Sequence, residues 1–428
     1  MTLFTRNAVE ELSRSLNEPD WMLAFRLAAF DVYQNTPLPT TQDEPWRRTD
    51  IRRLKLEEIG PSLNGNGQGT AVPGYLGEKL TEDGGGILLQ VDGITQKFDL
   101  SAQMQEQGII FCDMHQAVAD HEEIVKQYFM TKAVSVNDGK FAALHGAFWR
   151  GGTFLYVPKG IQAMPIHSAL WSANGKTFSH TLVILEEGSE AVLIDEYASE
   201  SARGQAIHNG AVELHVGDNA SLVYVSLQDF GSNVWQFNHE RGHVNRSGRL
   251  DWIASVMGSS LIKAFQTVEL DGQGSWARMS GLFFGEKRQH FDLDTQQNHN
   301  APDTTSDLLY KGALKDRARS VWQGIIKAQP DSQRIDGFQA NRNLLLSKSA
   351  RADSIPGLEI EADDVRCTHA STIGKIDYQQ VFYLMTRGIT QHIAEQMVIE
   401  GFFAPVMERI PIEGVRTRIA NRIIEKVG

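Results

Sequence analysis

The sequence predicts a mainly β protein with a parallel β-solenoid core, flanked by a helical N-terminal region and a helical C-terminal region. Three observations support this fold class. Short segments of alternating apolar and polar residues follow one another through residues 141–376, with no helix-length pattern between them. Four of these segments align as a repeat: EGSEAVLIDEY, GDNASLVYVSL, RSGRLDWIASV and GQGSWARMSGL. Helical periodicity occurs at the two ends of the chain.

The N-terminal region, residues 1–140, is predicted to be mostly helical. In LNEPDWMLAFRLAAFDVYQ, Asn17 is a suitable N-cap, and Trp21, Phe25 and Ala28 fall on one face at steps of three and four residues. This segment is therefore expected to be an amphipathic helix that packs through that face.

Two further features complete the N-terminal region. The segment near 62–86 is glycine-rich and lacks periodicity, so we expect a mobile linker there. A later helix is predicted to start with Asp113 as its N-cap and to run through HQAVADHEEIVKQYF. From about Phe141 the pattern changes to the two-residue period of strands.

The C-terminal region, residues 377–428, is predicted to be helical. Its apolar residues form two stripes at helical spacing: Ile389, Ile393 and Met397 in the first, Val415, Ile419 and Ile423 in the second. Two short amphipathic helices bury little surface alone. They are expected to cap the end of the solenoid or to dock a partner.

Composition and charge exclude several function classes. The net charge of −12 and the pI of about 5.6 argue against nonspecific binding to nucleic acid or to anionic membranes. No apolar run approaches the ~20 residues that span a bilayer. The first residues lack the apolar segment of a signal peptide, and two distant cysteines make no disulfide framework. The sequence thus predicts a cytoplasmic protein.

Catalytic motifs are missing from the sequence. There is no G-x-S-x-G and no H-E-x-x-H, and NGKT at residues 174–177 lacks the leading glycine of a phosphate-binding loop. Two pairs are candidate ligands: a cysteine and a histidine, Cys112 and His115, and two histidines, His239 and His243. Both are interpreted as structural, because neither has the spacing of a metal site on a regular element. The chain is therefore not expected to be an enzyme.

Cys367 and His369 in ADDVRCTHAST form a different kind of pair. If residues 363–371 are a strand, positions two apart point to the same face, so the thiol and the imidazole lie side by side. Such a pair can bind a zinc or iron ion, but it supplies two of the usual four ligands. Either the pair is inert, or the remaining ligands come from elsewhere in the fold or from another chain.

Several segments resemble one known family. NEPDWMLAFRLAAFDVYQNTPLP followed by EPWRRTD, FWRGGTFLYVPKG and, most specifically, ANRNLLLSKSARADSIPGLEIEADDVRCTHASTIGKIDYQQVFYLMTRGI are similar to the SufB/SufD family of iron–sulfur cluster assembly proteins. The resemblance covers nearly the whole chain. SufB carries a cysteine in the segment equivalent to NRNLLLSKSA, whereas residues 341–350 here contain none. SufB also has His-Glu-Ala where this chain has Thr368-His369-Ala370. Within the family, this chain therefore resembles the branch other than SufB.

The resemblance implies a fold, partners and site residues. The family has a right-handed parallel β-helix between helical regions, and its members form a complex of SufB, SufD and two copies of the ATPase SufC. His369 matches the histidine that faces SufB where a transient iron–sulfur cluster or iron is thought to assemble; Cys367 matches the same motif and is the less secure ligand. The matching FYLxxRG stretch is expected to dock SufC through Phe382, Tyr383, Arg387 and Gly388.

The resemblance also has consequences for cofactors and assembly. ATP is expected to act only through SufC. The family's assembled complex is linked to reduced flavin, although this sequence contains no flavin-binding signature. When SufB is absent, a homodimer is an open possibility.

Three functions are open on these observations. The first is a non-catalytic scaffold subunit that aids iron entry and cluster assembly at an interface with SufB. The second is a purely structural β-helix oligomerisation partner in which Cys367 and His369 are inert. The third is a β-helix polysaccharide-active enzyme, which the missing signal peptide and the absence of a compact Asp/Glu/Arg group disfavour.

Overall fold

The computed structural model describes residues 3–62, 71–77, 80 and 84–428. In chain order the strands are β1 (Gly86–Val91), β2 (Ile94–Leu100), β3 (Ile110–Asp113), β4 (Gly152–Val157), β5 (Ile166–Trp171), β6 (Lys176–Thr177), β7 (His180–Leu185), β8 (Glu190–Ala198), β9 (Ala206–Val216), β10 (Ser221–Asp229), β11 (Val234–Val244), β12 (Arg249–Val256), β13 (Leu261–Leu270), β14 (Trp276–Gly285), β15 (His290–His299), β16 (Thr305–Leu314), β17 (Arg319–Ala328), β18 (Ile335–Leu345), β19 (Arg351–Ile360) and β20 (Val365–Lys375). The helices are α1 (Arg6–Ser15), α2 (Asp20–Asn35), α3 (Leu56–Ile59), α4 (Ala102–Glu106), α5 (Met114–Asp120), α6 (Glu122–Tyr128), α7 (Lys140–Phe148), α8 (Tyr378–Thr386), α9 (Gln391–Met407) and α10 (Glu413–Val427).

The four repeated sequence segments form β8, β10, β12 and β14, which are neighbours in one parallel sheet. Ser221 pairs with Glu190 on one side and with Arg249 on the other, and Arg249 pairs in turn with Trp276. Each repeat therefore supplies one strand to this sheet, and its second strand lies in an opposing sheet. The predicted fold class, a parallel β-solenoid core between helical ends, is confirmed.

Two sheets form the walls of the solenoid. The first sheet has the order β2-β1-β5-β8-β10-β12-β14-β16-β18-β20, and the second runs β19-β17-β15-β13-β11-β9-β7-β4-β3. Because successive strands alternate between the sheets, inward side chains of both enclose one long core. Its largest fully buried members include Tyr224, Trp252, Tyr310 and Trp322. Stacked turns thus bury on one another the faces that a single turn cannot bury.

The N-terminal helix α2 begins later than the sequence predicted, and Trp21 and Phe25 of its predicted stripe pack, partly buried, against a cluster that includes Phe129 and Trp149. Its N-cap is Pro19, and Asn17 instead has a left-handed backbone with φ of 51° after α1. Ala28 is exposed, and the buried residues are Met22, Arg26, Ala29, Phe30 and Tyr33. The sequence does not predict that Arg26 is buried, because a charged residue is rarely buried without a partner. Here Glu18 accepts two hydrogen bonds from its guanidinium, at 2.5 and 2.7 Å.

The boundary between helices and strands differs from the prediction in two places. Residues 86–113, predicted within a mostly helical region, contribute β1, β2 and β3, and β1 already pairs in parallel with β5 of the solenoid. Conversely, strands do not begin at Phe141, because Lys140–Phe148 is helix α7. That helix is covered on all sides, so KFAALHGAF has no polar face and gives no helical period.

The predicted start of the helix at Asp113 is correct. Its carboxylate accepts hydrogen bonds from the backbone N–H groups of His115 and Gln116. The segment is divided at His121 into α5 and α6. These helices lie against the second sheet and bury Met114, Val118 and Val125.

The predicted linker near 62–86 falls mostly on residues outside the described ranges, namely 63–70, 78–79 and 81–83. Among its described residues, Gly74–Gly77 forms one short 3-10 turn, and Leu76 is fully buried. Leu80 packs in the cluster that holds the C-terminal helices on the first sheet.

The C-terminal helices cover the outer face of the first sheet. The predicted stripe Val415, Ile419 and Ile423 is buried against it. The next face of α10 carries three cations that pair with acids along the solenoid: Arg418 with Glu196, Arg422 with Asp229, and Lys426 with Glu286. No helix in the described part of the chain is long and apolar enough to cross a membrane.

Candidate functional site

The C-terminal end of the solenoid is open. In the described part of the chain, β20 pairs only with β18, and β19 pairs only with β17. Each strand therefore presents one edge of backbone groups without a neighbouring strand. Apolar side chains are exposed around this end: Phe338, Leu358, Ile360 and Ile373. Sequence analysis missed them, because their alternation looks like that of core strands.

Cys367 and His369 lie on β20 at this open end. Cys367 pairs in register with Gly337, and His369 pairs with Gln339, so both side chains share the face of their partners. Gln339 donates hydrogen bonds to carbonyl oxygens of Gly324 and Gly357 in the opposing sheet, at 3.3 and 3.0 Å. This face is therefore the inner one. His369 is exposed there, whereas Cys367 is half-buried.

The surroundings of Cys367 weaken it as a ligand in the isolated chain. It packs against the small apolar cluster of Ala328, Ile335 and Ala362. Burial raises the pKa of the Cys367 thiol, although a hydrogen bond with the Gly337 backbone acts in the opposite direction. Since a metal binds the thiolate, a raised pKa lowers the fraction of Cys367 that can act as a ligand. The exposed imidazole of His369 is the more accessible donor.

Sequence analysis also missed His299, which lies behind Cys367. A Cβ placed on Gly337 would lie 3.4 Å from both Cys367 Sγ and His299 Nε2, so Gly337 leaves room between them. The ring of His299 is fixed by Thr304 Oγ1 at 2.6 Å and Ser306 Oγ at 2.8 Å. Burial lowers the pKa of His299 to about 4. No spacing signal in the sequence marks this residue; only the stacking of turns places it here.

The described residues of this chain contain no group of three or more His, Cys, Asp or Glu side chains arranged to hold a metal ion. Cys367 and His369 are thus at most part of a site within one chain. A closed structural zinc site needs four protein ligands. What the pair can do chemically is to offer one or two donors to a metal whose other ligands come from a second molecule.

The two other pairs considered in the sequence have structural surroundings. Cys112 is buried, and burial raises the pKa of its thiol to about 12. His115 stacks on Trp149 with ring centroids 4.7 Å apart and accepts a hydrogen bond from the Gly151 backbone N–H. His239 stacks on Phe265, and His243 lies 2.5 Å from an oxygen of Asp271.

The segment predicted to dock a partner forms an exposed surface on α8. Phe382 and Tyr383 are 66% and 57% exposed. Arg387 lies over the Tyr383 ring at 5.2 Å, and Gly388 follows the helix with a left-handed φ of 85°, which favours glycine. The exposed apolar surface extends further than the sequence motif, to Tyr378, Met385, Ile393 and Met397. Ile393 and Met397 belong to the predicted stripe and are exposed on α9, whereas its third member, Ile389, precedes the helix and packs, partly buried, against the cluster beneath the C-terminal helices.

The solenoid has one open end, with a thiol and an imidazole on its inner face there and an apolar helical surface beside it. These features are typical of a protein that binds other proteins. Comparison with known proteins identifies the family to which the chain belongs. The family model described as "SUF system FeS cluster assembly, SufBD core domain" matches residues 169–402, and "SufBD protein N-terminal region" matches residues 2–166. The chain belongs to the SufB/SufD family of iron–sulfur cluster assembly proteins.

Its relatives point to one branch of that family. The iron–sulfur cluster assembly protein SufD of Bacillus subtilis is 31% identical, with all of both chains covered. SufBD family proteins of Staphylococcus haemolyticus and Staphylococcus aureus are 28% and 29% identical, over 96% of this chain and 90% of theirs. The full-length similarity to SufD agrees with the absence of a cysteine from residues 341–350.

Proposed function

We propose that this chain is a non-catalytic scaffold subunit that pairs with SufB and SufC and helps to assemble an iron–sulfur cluster at its interface with SufB. The observation that carries the proposal is the open end of the solenoid, where His369 is exposed beside Cys367 on the inner face. A family member with an unfinished ligand set at an uncovered end is suited to share that site with a second chain.

The open end supplies the means of pairing. Unpaired strand edges such as those of β19 and β20 are templates for a strand of another chain. The exposed Leu358, Ile360 and Ile373 would add apolar contacts around the backbone hydrogen bonds. A paralogous solenoid that ends in the same way has complementary strand edges, which favours SufB over an unrelated partner. In its absence, a second copy of this chain could occupy the same edges.

The chemistry of the shared site follows from the donors. Imidazole nitrogen is a borderline ligand that suits iron, while thiolates suit iron–sulfur clusters. His369 would bind incoming iron through an unprotonated ring nitrogen, and thiolates of SufB would complete the coordination. Cys367, whose pKa is raised by burial, is the secondary donor. Iron and sulfide are the cargo of such a site.

The exposed surface of α8 and α9 would dock the ATPase SufC. It combines aromatic side chains, Phe382 and Tyr383, with the cation Arg387, and these residue types are enriched at interfaces. ATP would act only through SufC. If nucleotide-bound SufC prefers a different arrangement of the two docked helical regions, its binding energy would open the interface and expose His369 to iron.

The test is to co-express the chain with SufB and SufC and to compare wild type with His369→Ala. We expect the complex to form in both cases, because His369 is exposed and contributes little to packing. Bound iron and sulfide, measured per complex after anaerobic reconstitution, should fall severalfold in the variant.

The matched control is Thr368→Ala, which changes the neighbouring exposed residue on the opposite face of the same strand. It should leave both complex formation and iron content unchanged. Equal iron and sulfide in wild type and His369→Ala would reject the metal role and favour the purely structural partner.

A further inference from the structure

Three consecutive turns on one edge of the solenoid carry cations without partners. These turns join β14 to β15, β16 to β17 and β18 to β19. They expose Lys287 and Arg288, then Arg317, then Lys348. In the part of the chain that the structure describes, none of these four side chains makes a hydrogen bond or an ion pair. In a chain of net charge −12, this edge is a local concentration of positive charge.

The opposite edge of the solenoid shows what structural cations do in the same fold. There Arg246 pairs with Asp218 at 3.0 Å, and Arg334 pairs with Asp303 at 2.6 Å, each acid lying on a neighbouring turn. Opposite charges on adjacent rungs stabilise the stack, whereas like charges about 4.8 Å apart destabilise it. The stacking of turns therefore does not explain why Lys287, Arg288 and Arg317 are adjacent and unpaired.

A cleft of about 570 Å³ lies among these turns. Its lining residues are Ser232, Ser260, Glu286, Lys287, Arg288, Gln289, Asp316 and Arg317. The volume falls within the range of about 300–1,000 Å³ that is usual for small-molecule sites. A concave cleft of this size fits a small ligand better than the surface of a protein.

The acids that line the cleft do not balance its cations. The Glu286 carboxylate pairs with Lys426 at 3.1 Å, and the Asp316 carboxylate accepts a hydrogen bond from the Lys287 backbone N–H at 2.9 Å. The cations Arg288 and Arg317 are left to face the solvent of the cleft. With Glu286 paired to Lys426, the lining keeps three cations, Lys287, Arg288 and Arg317, against the single carboxylate of Asp316. The net charge of the cleft is therefore positive, and its ligand should be an anion.

The turns are held rigidly with respect to one another. The Arg317 backbone N–H donates to the Lys287 carbonyl at 2.9 Å, and the Asp316 backbone N–H donates to Ser347 Oγ at 2.8 Å. Gln289 is buried at the base of the cleft and donates to the Ser259 carbonyl at 2.7 Å. Groups fixed before binding lose less entropy when a ligand arrives.

We propose that this edge is a binding site for a small phosphate-bearing anion of the diphosphate class. Two guanidinium groups on adjacent rungs can each donate paired hydrogen bonds to phosphate oxygens, and Lys287 adds a third charge. The Ser260 hydroxyl is available as a further donor. The site is separate from His369 and does not depend on the proposed scaffold function.

The test is calorimetric titration of the full chain with inorganic pyrophosphate at low ionic strength and again at 0.15 M salt. Saturable binding at one site is expected, weaker in salt because the contacts are ionic. In the double variant Arg288→Gln/Arg317→Gln, the dissociation constant should rise at least about tenfold. Inorganic phosphate and adenosine diphosphate are titrated in parallel. They distinguish a site for a free phosphate anion from a site for the phosphate groups of a nucleotide.

The matched control is Arg246→Gln/Arg334→Gln, which removes two arginines from the opposite edge. Both double variants replace surface side chains, so circular dichroism should show an unchanged fold. The proposal is overturned by an absence of saturable pyrophosphate binding, by equal affinity in the first double variant, or by an equal loss in the control. Binding of a glutamate-rich peptide in place of pyrophosphate would overturn it in favour of an acidic protein partner.

Discussion

The two ends of the solenoid are built in opposite ways. At the N-terminal end, β2 and β3 run antiparallel to their neighbours, and α4 lies between them in the chain. Met104 of α4 is fully buried and, with Leu100 and Phe111, closes the inter-sheet core. At the C-terminal end, β19 and β20 continue the parallel repeat and stop, and nothing in the described residues covers them.

The burial of polar side chains also differs between the two ends of the solenoid. Near the covered end one set of polar side chains is buried and hydrogen-bonded in series: His145 lies 3.0 Å from His180, which lies 3.0 Å from Glu213, whose carboxylate accepts two backbone hydrogen bonds. At the open end His369 and apolar side chains such as Ile373 face solvent. The first end contributes to the stability of the chain, and the second is available for binding. Substitutions at the two ends should therefore differ in kind.

The largest effect is expected for Glu18→Ala near the covered end. Glu18 and Arg26 are 2% and 0% exposed, so the variant leaves a buried guanidinium with the Ala147 carbonyl as an acceptor but without the carboxylate that balances its charge. We expect a loss of about 3–5 kcal/mol in the free energy of unfolding, measured by urea denaturation. The matched variant at the open end is Asp336→Ala, whose partner Arg366 is 80% exposed. It should cost about 0–1 kcal/mol; equal losses would contradict the contrast.

A second comparison removes an apolar side chain from each end. Met104→Ala opens a cavity under α4 and should lower the free energy of unfolding by about 2–5 kcal/mol. Leu358→Ala shortens an exposed side chain on β19 and should change it by about 0.5 kcal/mol or less. Chemical denaturation of both variants decides the point. A Leu358→Ala loss as large as that of Met104→Ala would mean that the isolated chain covers its own open end.

The buried histidines make stability depend on pH. Burial lowers the pKa of His208 to about 3, whereas in the unfolded chain it titrates near 6.5. The unfolded state therefore binds a proton that the folded state does not, and the stability present above pH 6.5 is lost as the pH falls below it. This histidine should remove about 1.4 kcal/mol per pH unit from the free energy of unfolding.

His208→Gln should reduce that slope between pH 6.5 and 5, measured by urea denaturation at several pH values. Thr177→Val is the control, since it removes the hydroxyl 2.9 Å from His208 Nδ1 but keeps the imidazole. It should lower stability at every pH and leave the slope as in wild type. An unchanged slope in His208→Gln would show that this residue is not the source.

The smallest effect on stability is expected for Ile373→Lys at the open end. Ile373 is exposed, so the free energy of unfolding should change by about 0.5 kcal/mol or less. If the proposed pairing is correct, a lysine among the apolar contacts should prevent co-purification with SufB. Phe98→Lys, at an equally exposed site on β2, should leave co-purification intact. Retained pairing in Ile373→Lys would place the interface elsewhere.

Much of the fold was predictable because the solenoid repeats its pattern. Alternation and turn residues predict β8, β10, β12 and β14, and the side chains of Cys367 and His369 could be placed on one face from spacing alone. Short elements were missed. In residues 86–113, β1 and β2 are joined by a tight turn, and the short helix α4 separates β2 from β3, so no window holds enough periods to identify these elements.

Exposure was the property that the sequence could not predict. Ile373 and Leu358 alternate with polar residues as core residues do, and Ile393 and Met397 have the spacing of a buried helix stripe. They are exposed because, among the described residues, no further rung of the solenoid and no further helix packs over them. The local sequence pattern predicts which face of a strand or helix is apolar. Which element covers that face depends on the topology of the fold, and the local pattern does not contain it.

The antiparallel strands and α4 at the N-terminal end also bear on how many solenoids can join end to end. A solenoid with two bare ends could add copies head to tail without limit, as a filament grows. In the described residues, parallel strands form the edges at the C-terminal end alone, so end-to-end addition through those edges would be complete after a single step. If the chain pairs through its open end, as proposed, Met104 and its neighbours would limit that assembly to two solenoids.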